Sequence, residues 1–236
     1  MKLFHSKTQK QAAVVSGLAI IIMAIAAVVA NDITLRSLIV ANSATETLNN
    51  VLSSKLKFNI GVFSWLIILV CDLIVAWGLY LFFIPVSKKL SLISAWFRLI
   101  YVAMLAVSML NLIYCHLVIH QVDSSTVDMT DQMSRSFMFY FDAFDAMWSL
   151  GLIVFGFHIL LVGYLAIKSE HVPNIFGILL MIAFIGYTLP KISNLLLPEY
   201  KDMMRIIEAI FLIPMLGEVA LGVWLLLIGF KRKHLI

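Results

Sequence analysis

Six long apolar segments, separated by short polar stretches, dominate the pattern of this chain. They cover about residues 12–30, 60–85, 92–118, 147–167, 173–190 and 209–230. A helix needs roughly 20 apolar residues to cross the hydrocarbon core of a bilayer. The pattern therefore predicts an all-α integral membrane protein with six transmembrane helices in one bundle. Because no connection is long enough for a separate soluble domain, residues 1–236 are predicted to form a single polytopic membrane domain.

The longest polar stretch, residues 31–58, has a helical period of its own. Within "SATETLNNVLSSKL", Leu48, Val51, Leu52 and Leu56 fall on one helical face, with polar side chains opposite. Such a pattern is typical of a short amphipathic helix that lies on the membrane surface. We expect this segment on the outer side of the membrane.

Composition and charge support a membrane protein and give it an orientation. Hydrophobic residues make up 62% of the 236 residues and charged residues only 13%, about half the fraction that is usual for a soluble domain, which excludes that class. No basic run lies beside exposed aromatic residues, so the net charge of +4 does not indicate a nucleic-acid partner. Lysines before the first span, Lys88 and Lys89, and the C-terminal "FKRKHLI" favour cytoplasmic N- and C-termini. The first apolar segment exceeds a signal-peptide core, so we expect it to remain as a span.

Four ionisable residues interrupt the apolar segments: Asp72, Arg98, His158 and Glu218. A charge at the centre of a bilayer costs at least about 2.5–3.5 kcal/mol on insertion scales, so such residues usually face the bundle interior and find a partner. His158 lies near the middle of the 21-residue stretch "MWSLGLIVFGFHILLVGYLAI". A partner inside the bundle would explain how this imidazole is tolerated.

The depths of these residues predict which of them meet. Counted from the nearest cytoplasmic lysine at about 1.5 Å per residue, Arg98 lies roughly 14 Å deep, His158 about 15 Å, Glu218 about 20 Å and Asp72 about 24 Å. We therefore expect Arg98, His158 and Glu218 to meet in one polar cluster with Asp72 just above them, and we call these four residues the Arg98 cluster. Pro214 is expected to kink the last span near Glu218.

A weaker constellation lies towards the outer side of the membrane. His116 and His120 are four residues apart on one helical face, and Asp142 and Asp145 come from the next span. Imidazole and carboxylate ligands suit zinc or manganese, but polar side chains are also common at the membrane interface, so we predict no metal here and keep the four as weak candidates. Nucleophile arrangements, phosphate-binding loops and dinucleotide fingerprints are absent, and no cofactor is predicted.

Several stretches of the last four spans resemble a known family. "AWFRLIY", "WSLGLIVFGFHILLVGYLAIKSEHVPNIFGILLMIAFIGY", "LLLPEY" and "GEVALGVWLLLIGFK" are similar to bacterial six-span inner-membrane proteins classified only by a domain of unknown function. The positions that carry the resemblance are Arg98, Gly151, Phe155, Gly156, His158, Gly163, Pro173, Gly177, Tyr187, Glu218 and Trp224. The resemblance implies the same membrane fold and a multi-pass location in the bacterial cytoplasmic (inner) membrane. It brings no substrate, and Asp72 lies outside the strongly matching part.

Three functions are compatible with this pattern. The first is a non-enzymatic membrane protein that binds a small ligand, lipid or ion at the Arg98 cluster, with Arg98 as an anion clamp, Glu218 as an acceptor or proton site and His158 as a titrating partner. The second is an intramembrane enzyme that uses His158 and Glu218 as acid and base on a lipid-soluble substrate. The third is a structural or accessory subunit in which the cluster only fixes helix register. The lipid bilayer is the one partner that the sequence itself requires. The sequence does not predict an oligomeric state.

Overall fold

The chain folds almost entirely into α-helices in the computed structural model, which describes residues 6–122 and 130–230. Those two ranges contain no β-strand. In chain order the elements are α1 (Lys7–Val28), a π-helical stretch (Val29–Leu35), α2 (Arg36–Leu38), α3 (Ala44–Ser53), α4 (Lys55–Phe83), α5 (Lys88–Val122), α6 (Thr130–Lys168), α7 (Asn174–Leu196), a 3-10 turn (Pro198–Tyr200), α8 (Lys201–Met215) and α9 (Gly217–Phe230).

Six helices are long and apolar enough to cross a membrane, which confirms the predicted multi-pass membrane protein. They are Lys7–Leu38, Lys55–Phe83, Lys88–Gln121, Asp131–Lys168, Asn174–Leu196 and Ala209–Phe230. Most extend beyond the predicted apolar windows, because polar residues at the ends of a span continue the helix once they leave the hydrocarbon core.

The orientation of the chain remains a prediction. Of the cations used to orient it, Lys2, Lys231, Arg232 and Lys233 lie outside the described residues. Residues 123–129 of the polar connection between α5 and α6 lie outside them as well.

The amphipathic segment forms the helix α3, but its apolar face packs on protein. Ser43 caps the helix by accepting a hydrogen bond from the Glu46 amide, and Leu48 and Val51 are fully buried. The prediction was wrong for Leu56, which belongs to α4 and is 74% exposed. Ser54 breaks the helical path before α4 begins at Lys55, so the face that the period assigns to Leu56 is not continued.

The described residues form two compact units. The first unit contains residues 6–22, 70–102 and 150–230, and the second contains 23–69, 103–122 and 130–149. All members of the Arg98 cluster belong to the first unit. Trp65 lies at the centre of the second, where its ring packs edge-on against Phe144 and Trp148 at centroid distances of 5.0 and 4.8 Å.

Glycines allow helices of the first unit to approach closely. A Cβ atom on Gly163 of α6 would lie 2.8 Å from the carbonyl oxygen of Gly177 on α7, and one on Gly177 would lie 2.7 Å from the carbonyl oxygen of Gly163. Small residues at such crossings let backbones touch within membranes. This contact fixes α6, which carries His158, against α7.

The last span is interrupted just before Glu218. Pro214 lies inside α8, the helix ends at Met215, and α9 begins at Gly217. The Leu216 amide donates to the carbonyl oxygens of Leu212 and Ile213 at 3.2 and 3.1 Å. Since proline offers no amide hydrogen, a break in this region is the expected outcome. It places Glu218 in the first turn of α9.

Candidate functional site

Arg98 is the centre of a buried ion-pair network in the first unit. Its side chain is completely buried on α5. Nε and Nη2 both donate to Oδ1 of Asp72 on α4, at 2.9 and 2.6 Å. Nη1 donates to Oε1 of Glu218 on α9 at 2.6 Å. One guanidinium therefore ties three helices together through charge-assisted hydrogen bonds, which are the strong class.

His158 joins the network from α6 and contacts α5 with both ring nitrogens. Its Nε2 lies 3.0 Å from Arg98 Nη1. Its Nδ1 lies 2.9 Å from the carbonyl oxygen of Ser94 and 3.0 Å from the Ser94 hydroxyl oxygen. A guanidinium can only donate, so Nε2 must be the accepting nitrogen, and the ring proton must lie on Nδ1, where the carbonyl accepts it.

This geometry predicts the tautomer of His158. Nitrogen NMR of the protein labelled with 15N-histidine should show the signal of an Nδ1–H imidazole that disappears in His158→Gln. The matched control is His171→Gln, which should leave the signal in place. Finding His158 as the Nε2–H tautomer would contradict the hydrogen bond from Arg98.

One aromatic ring packs on the guanidinium, and two further rings contact that ring. Cζ of Arg98 lies 5.2 Å from the centroid of the Phe155 ring, within cation–π range. Tyr101 and Tyr187 in turn contact Phe155, at centroid distances of 4.9 and 5.1 Å. These rings exclude water from the cluster, and electrostatic interactions strengthen as the local dielectric falls.

The Arg98 cluster carries more negative than positive groups. It contains two carboxylates and one guanidinium, and His158 accepts a hydrogen bond as an uncharged ring. Both bonds to Asp72 end on Oδ1, while Oδ2 is buried and has no hydrogen-bond partner within residues 6–122 and 130–230. A buried carboxylate oxygen without a partner is costly, so this atom marks where the network is incomplete.

The structure brings together all four residues of the predicted cluster, with one correction. Asp72 does not lie above the others but bonds Arg98 directly. The depth count was wrong because it began at Lys88 and treated the connecting turn as helix. Because α4 ends at Phe83, Asp72 is only about 16 Å from the helix end at 1.5 Å per residue.

Sequence reasoning missed Ser94 as a member of the site. Ser94 precedes Arg98 by four residues on α5 and so shares its face, which was the available signal. Its carbonyl and hydroxyl oxygens orient His158. Phe155 was noted only through the family resemblance, and its contact with the guanidinium could not be read from spacing.

The weak metal candidates of the second unit do not form a metal centre. His116 and His120 contact each other, with their Nε2 atoms 2.9 Å apart. In the part of the chain that the structure describes, no three or more His, Cys, Asp or Glu side chains are placed to share a metal ion. The structure therefore gives no support, within its described residues, to grouping these histidines with Asp142 and Asp145 around a metal.

Comparison with known proteins agrees with the resemblance of the last four spans. Residues 15–229 match the family described as Domain of unknown function (DUF4386). The chain belongs to this family. The DUF4386 match includes the whole Arg98 cluster, and it extends the resemblance to the first two spans.

A relative widens the range of organisms beyond the bacterial one that the pattern indicated. An uncharacterized protein of the archaeon Archaeoglobus fulgidus is 29% identical over 177 residues, which is 75% of this chain and 86% of the relative. No solved structure matches the chain significantly.

Proposed function

We propose that this multi-pass membrane protein binds one positive charge, a proton or a small monovalent cation, at the carboxylates Asp72 and Glu218. The observation that carries the proposal is Asp72 Oδ2, a buried oxygen without a hydrogen-bond partner among the described residues. It lies in a cluster with one excess negative charge. A bound proton would neutralise that excess charge, and a bound cation would neutralise it and also contact the oxygen.

The same geometry argues against an anion as the ligand. From the sequence, Arg98 was expected to clamp an anion. In the structure its guanidinium donates to both carboxylates and to His158. An incoming anion would have to displace a carboxylate that is already held at 2.6 Å, and it would add a second excess negative charge in a low-dielectric site.

A proton suits the site better than a larger ion because it requires no cavity. Two grooves of the first unit, of about 440 and 430 Å³, are lined by residues other than the Arg98 cluster. The side chain of Glu218 is 8% exposed and that of Asp72 only 1%. Glu218 is therefore the group through which a proton reaches the cluster.

The intramembrane-enzyme alternative receives less support. A general acid or base must reach the proton that it transfers. Both ring nitrogens of His158 are engaged, one by Arg98 and the other by Ser94, and so His158 is better placed to orient Arg98 than to act on a substrate.

The cellular location follows as part of the proposal. We place the protein in the cytoplasmic (inner) membrane of a bacterium, with both termini cytoplasmic. Lys88, Lys89 and Lys168 would then lie on the cytoplasmic side, as the excess of positive charge in cytoplasmic loops requires.

The proposal is tested by infrared difference spectroscopy of the protein in lipid nanodiscs as the pH is raised. A carboxyl group that holds a proton has a carbonyl stretching band that disappears on ionisation. We expect such a band in the wild type and its loss or displacement in Asp72→Asn and Glu218→Gln. The exposed Asp131, which pairs with Arg135 on the surface, provides the matched control Asp131→Asn, in which the band should remain.

Repeating the titration in sodium chloride and in choline chloride distinguishes a bound proton from a bound monovalent metal ion. A band that sodium shifts and choline does not would identify a monovalent ion that competes with the proton. A wild type without any such band or sodium response would overturn the proposal and leave the cluster as a structural ion pair. A band that persists unchanged in both Asp72→Asn and Glu218→Gln would also overturn the proposal.

A further inference from the structure

A groove of about 440 Å³ lies at the end of the first unit where α1, α5 and α7 begin and α4 and α6 end. We call it the polar groove. Its volume is within the range of small-molecule sites. Its lining comes from the first turn of α1, the α4–α5 turn with the start of α5, and the end of α6 with the turn that follows. It includes Gln9, Ser87, Tyr164, Lys168, Ser169 and Glu170.

The lining offers one cation and one anion side by side. Lys168 and Glu170 are both exposed, and they flank the buried Ser169. The Lys168 ammonium lies 5.8 Å from the centroid of the Tyr164 ring, which holds it at the groove. A lysine ammonium binds a phosphate as a point charge, the serine hydroxyls can donate to phosphate oxygens, and a carboxylate can accept from a primary ammonium.

The framework of the groove is preformed by hydrogen bonds. Gln9 Nε2 donates to the carbonyl oxygen of Phe82 at 3.1 Å, which fixes the start of α1 against the end of α4. The Trp224 indole donates to the carbonyl oxygen of His171 at 3.2 Å, which fixes the α6–α7 turn against α9. A site held in this way loses little conformational freedom on binding.

A second groove is apolar and takes part of its lining from the same turns of α1. It has a volume of about 430 Å³ and runs between α1 and α4, with Thr8 and Gln11 at its polar end and Val15, Leu73 and Trp77 further along. Trp77 is 64% exposed and Val15 is 48% exposed. Both helices span the membrane, so this apolar groove faces acyl chains.

We infer that the two grooves bind one zwitterionic phospholipid with a primary ammonium, such as phosphatidylethanolamine. Its phosphate lies against Lys168 and the serine hydroxyls, its ammonium against Glu170, and one acyl chain follows the apolar groove along α1. The pairing of one lysine with one glutamate selects this headgroup, since a headgroup with a net negative charge would meet the carboxylate of Glu170. The site is separate from the Arg98 cluster and does not depend on its function.

The inference is tested by native mass spectrometry of the protein equilibrated with equal amounts of phosphatidylethanolamine, phosphatidylglycerol and phosphatidylcholine. The wild type should retain phosphatidylethanolamine preferentially. Lys168→Gln should reduce its retention about ten-fold, the effect of losing one hydrogen bond between charged groups. Glu170→Gln should raise the ratio of phosphatidylglycerol to phosphatidylethanolamine by a similar factor, and a ratio is insensitive to the amount of folded protein.

The matched control is Lys89→Gln, which removes a lysine at the same end of the helices but outside the groove lining. If Lys89→Gln lost as much phosphatidylethanolamine as Lys168→Gln, the retention would reflect only surface electrostatics and the inference would be overturned. Val86→Trp, which fills the polar groove, should reduce retention with all charges in place. Equal retention of the three lipids, or displacement of the lipid by an equal concentration of free phosphoethanolamine, would also overturn it.

Discussion

Arg98→Met is expected to destabilise the protein by about 3–5 kcal/mol, the range found when one partner of a buried ion pair is removed. The substitution keeps a long apolar side chain at the position but leaves the carboxylates of Asp72 and Glu218 without their shared donor. The expected loss follows from buried carboxylates whose compensating guanidinium has been removed. It is measured as the change in unfolding free energy in mixed detergent micelles.

The triple variant Arg98→Met, Asp72→Asn, Glu218→Gln separates charge from packing. Because it leaves no buried charge in the cluster, it should recover most of the stability that the single variant loses. Arg135→Met is the matched control at an exposed arginine that pairs with Asp131, and it should change stability little. A triple variant as unstable as Arg98→Met would show that the arginine acts through shape rather than through charge.

The second large effect is expected at the α6–α7 crossing. Gly163→Ala places a methyl group 2.8 Å from the Gly177 carbonyl oxygen and 3.0 Å from the Met181 backbone nitrogen. Backbone atoms cannot rotate away, so the helices must separate, and we expect a loss of about 1–3 kcal/mol, as for other overpacked contacts. The thermal midpoint of the detergent-solubilised protein measures the loss.

Three further variants show whether the loss comes from this contact. Gly177→Ala should be as harmful as Gly163→Ala, because its methyl group meets the Gly163 carbonyl oxygen. The double variant should lose less stability than the sum of the two single losses, since helices that are already separated accept the second methyl group more easily. The neighbouring Ile178 is 47% exposed, and Ile178→Ala should have little effect. Strictly additive losses would argue against a shared contact.

The spans were predictable because hydropathy over about 20 residues reports membrane crossing directly. Their ends were less predictable, since helices such as Asp131–Lys168 continue past the apolar window into polar sequence. The packing of the 31–58 segment was not predictable for a different reason. Its period marked the apolar face of α3 correctly at Leu48 and Val51. An apolar face that packs on protein, however, has the same pattern as one that packs on lipid.

The membership of the Arg98 cluster was predictable because ionisable residues inside a bilayer must find partners and depth limits the choice. The pattern of hydrogen bonds within the cluster was not predictable. That Asp72 receives two hydrogen bonds on one oxygen while Oδ2 has none within the described residues depends on side-chain rotamers. Spacing along a sequence does not encode these rotamers, and the same holds for the contact between Ser94 and His158.

The cluster also has a consequence for the order in which the protein is assembled during synthesis. Arg98 and Asp72 are 26 residues apart on the successive helices α5 and α4. This hairpin can therefore enter the bilayer with its own charges paired. Glu218 follows Arg98 by 120 residues and meets its partner only when the last span is inserted. The final helix carries the carboxylate that completes the network, and a chain truncated before α9 keeps the paired hairpin but never closes the cluster.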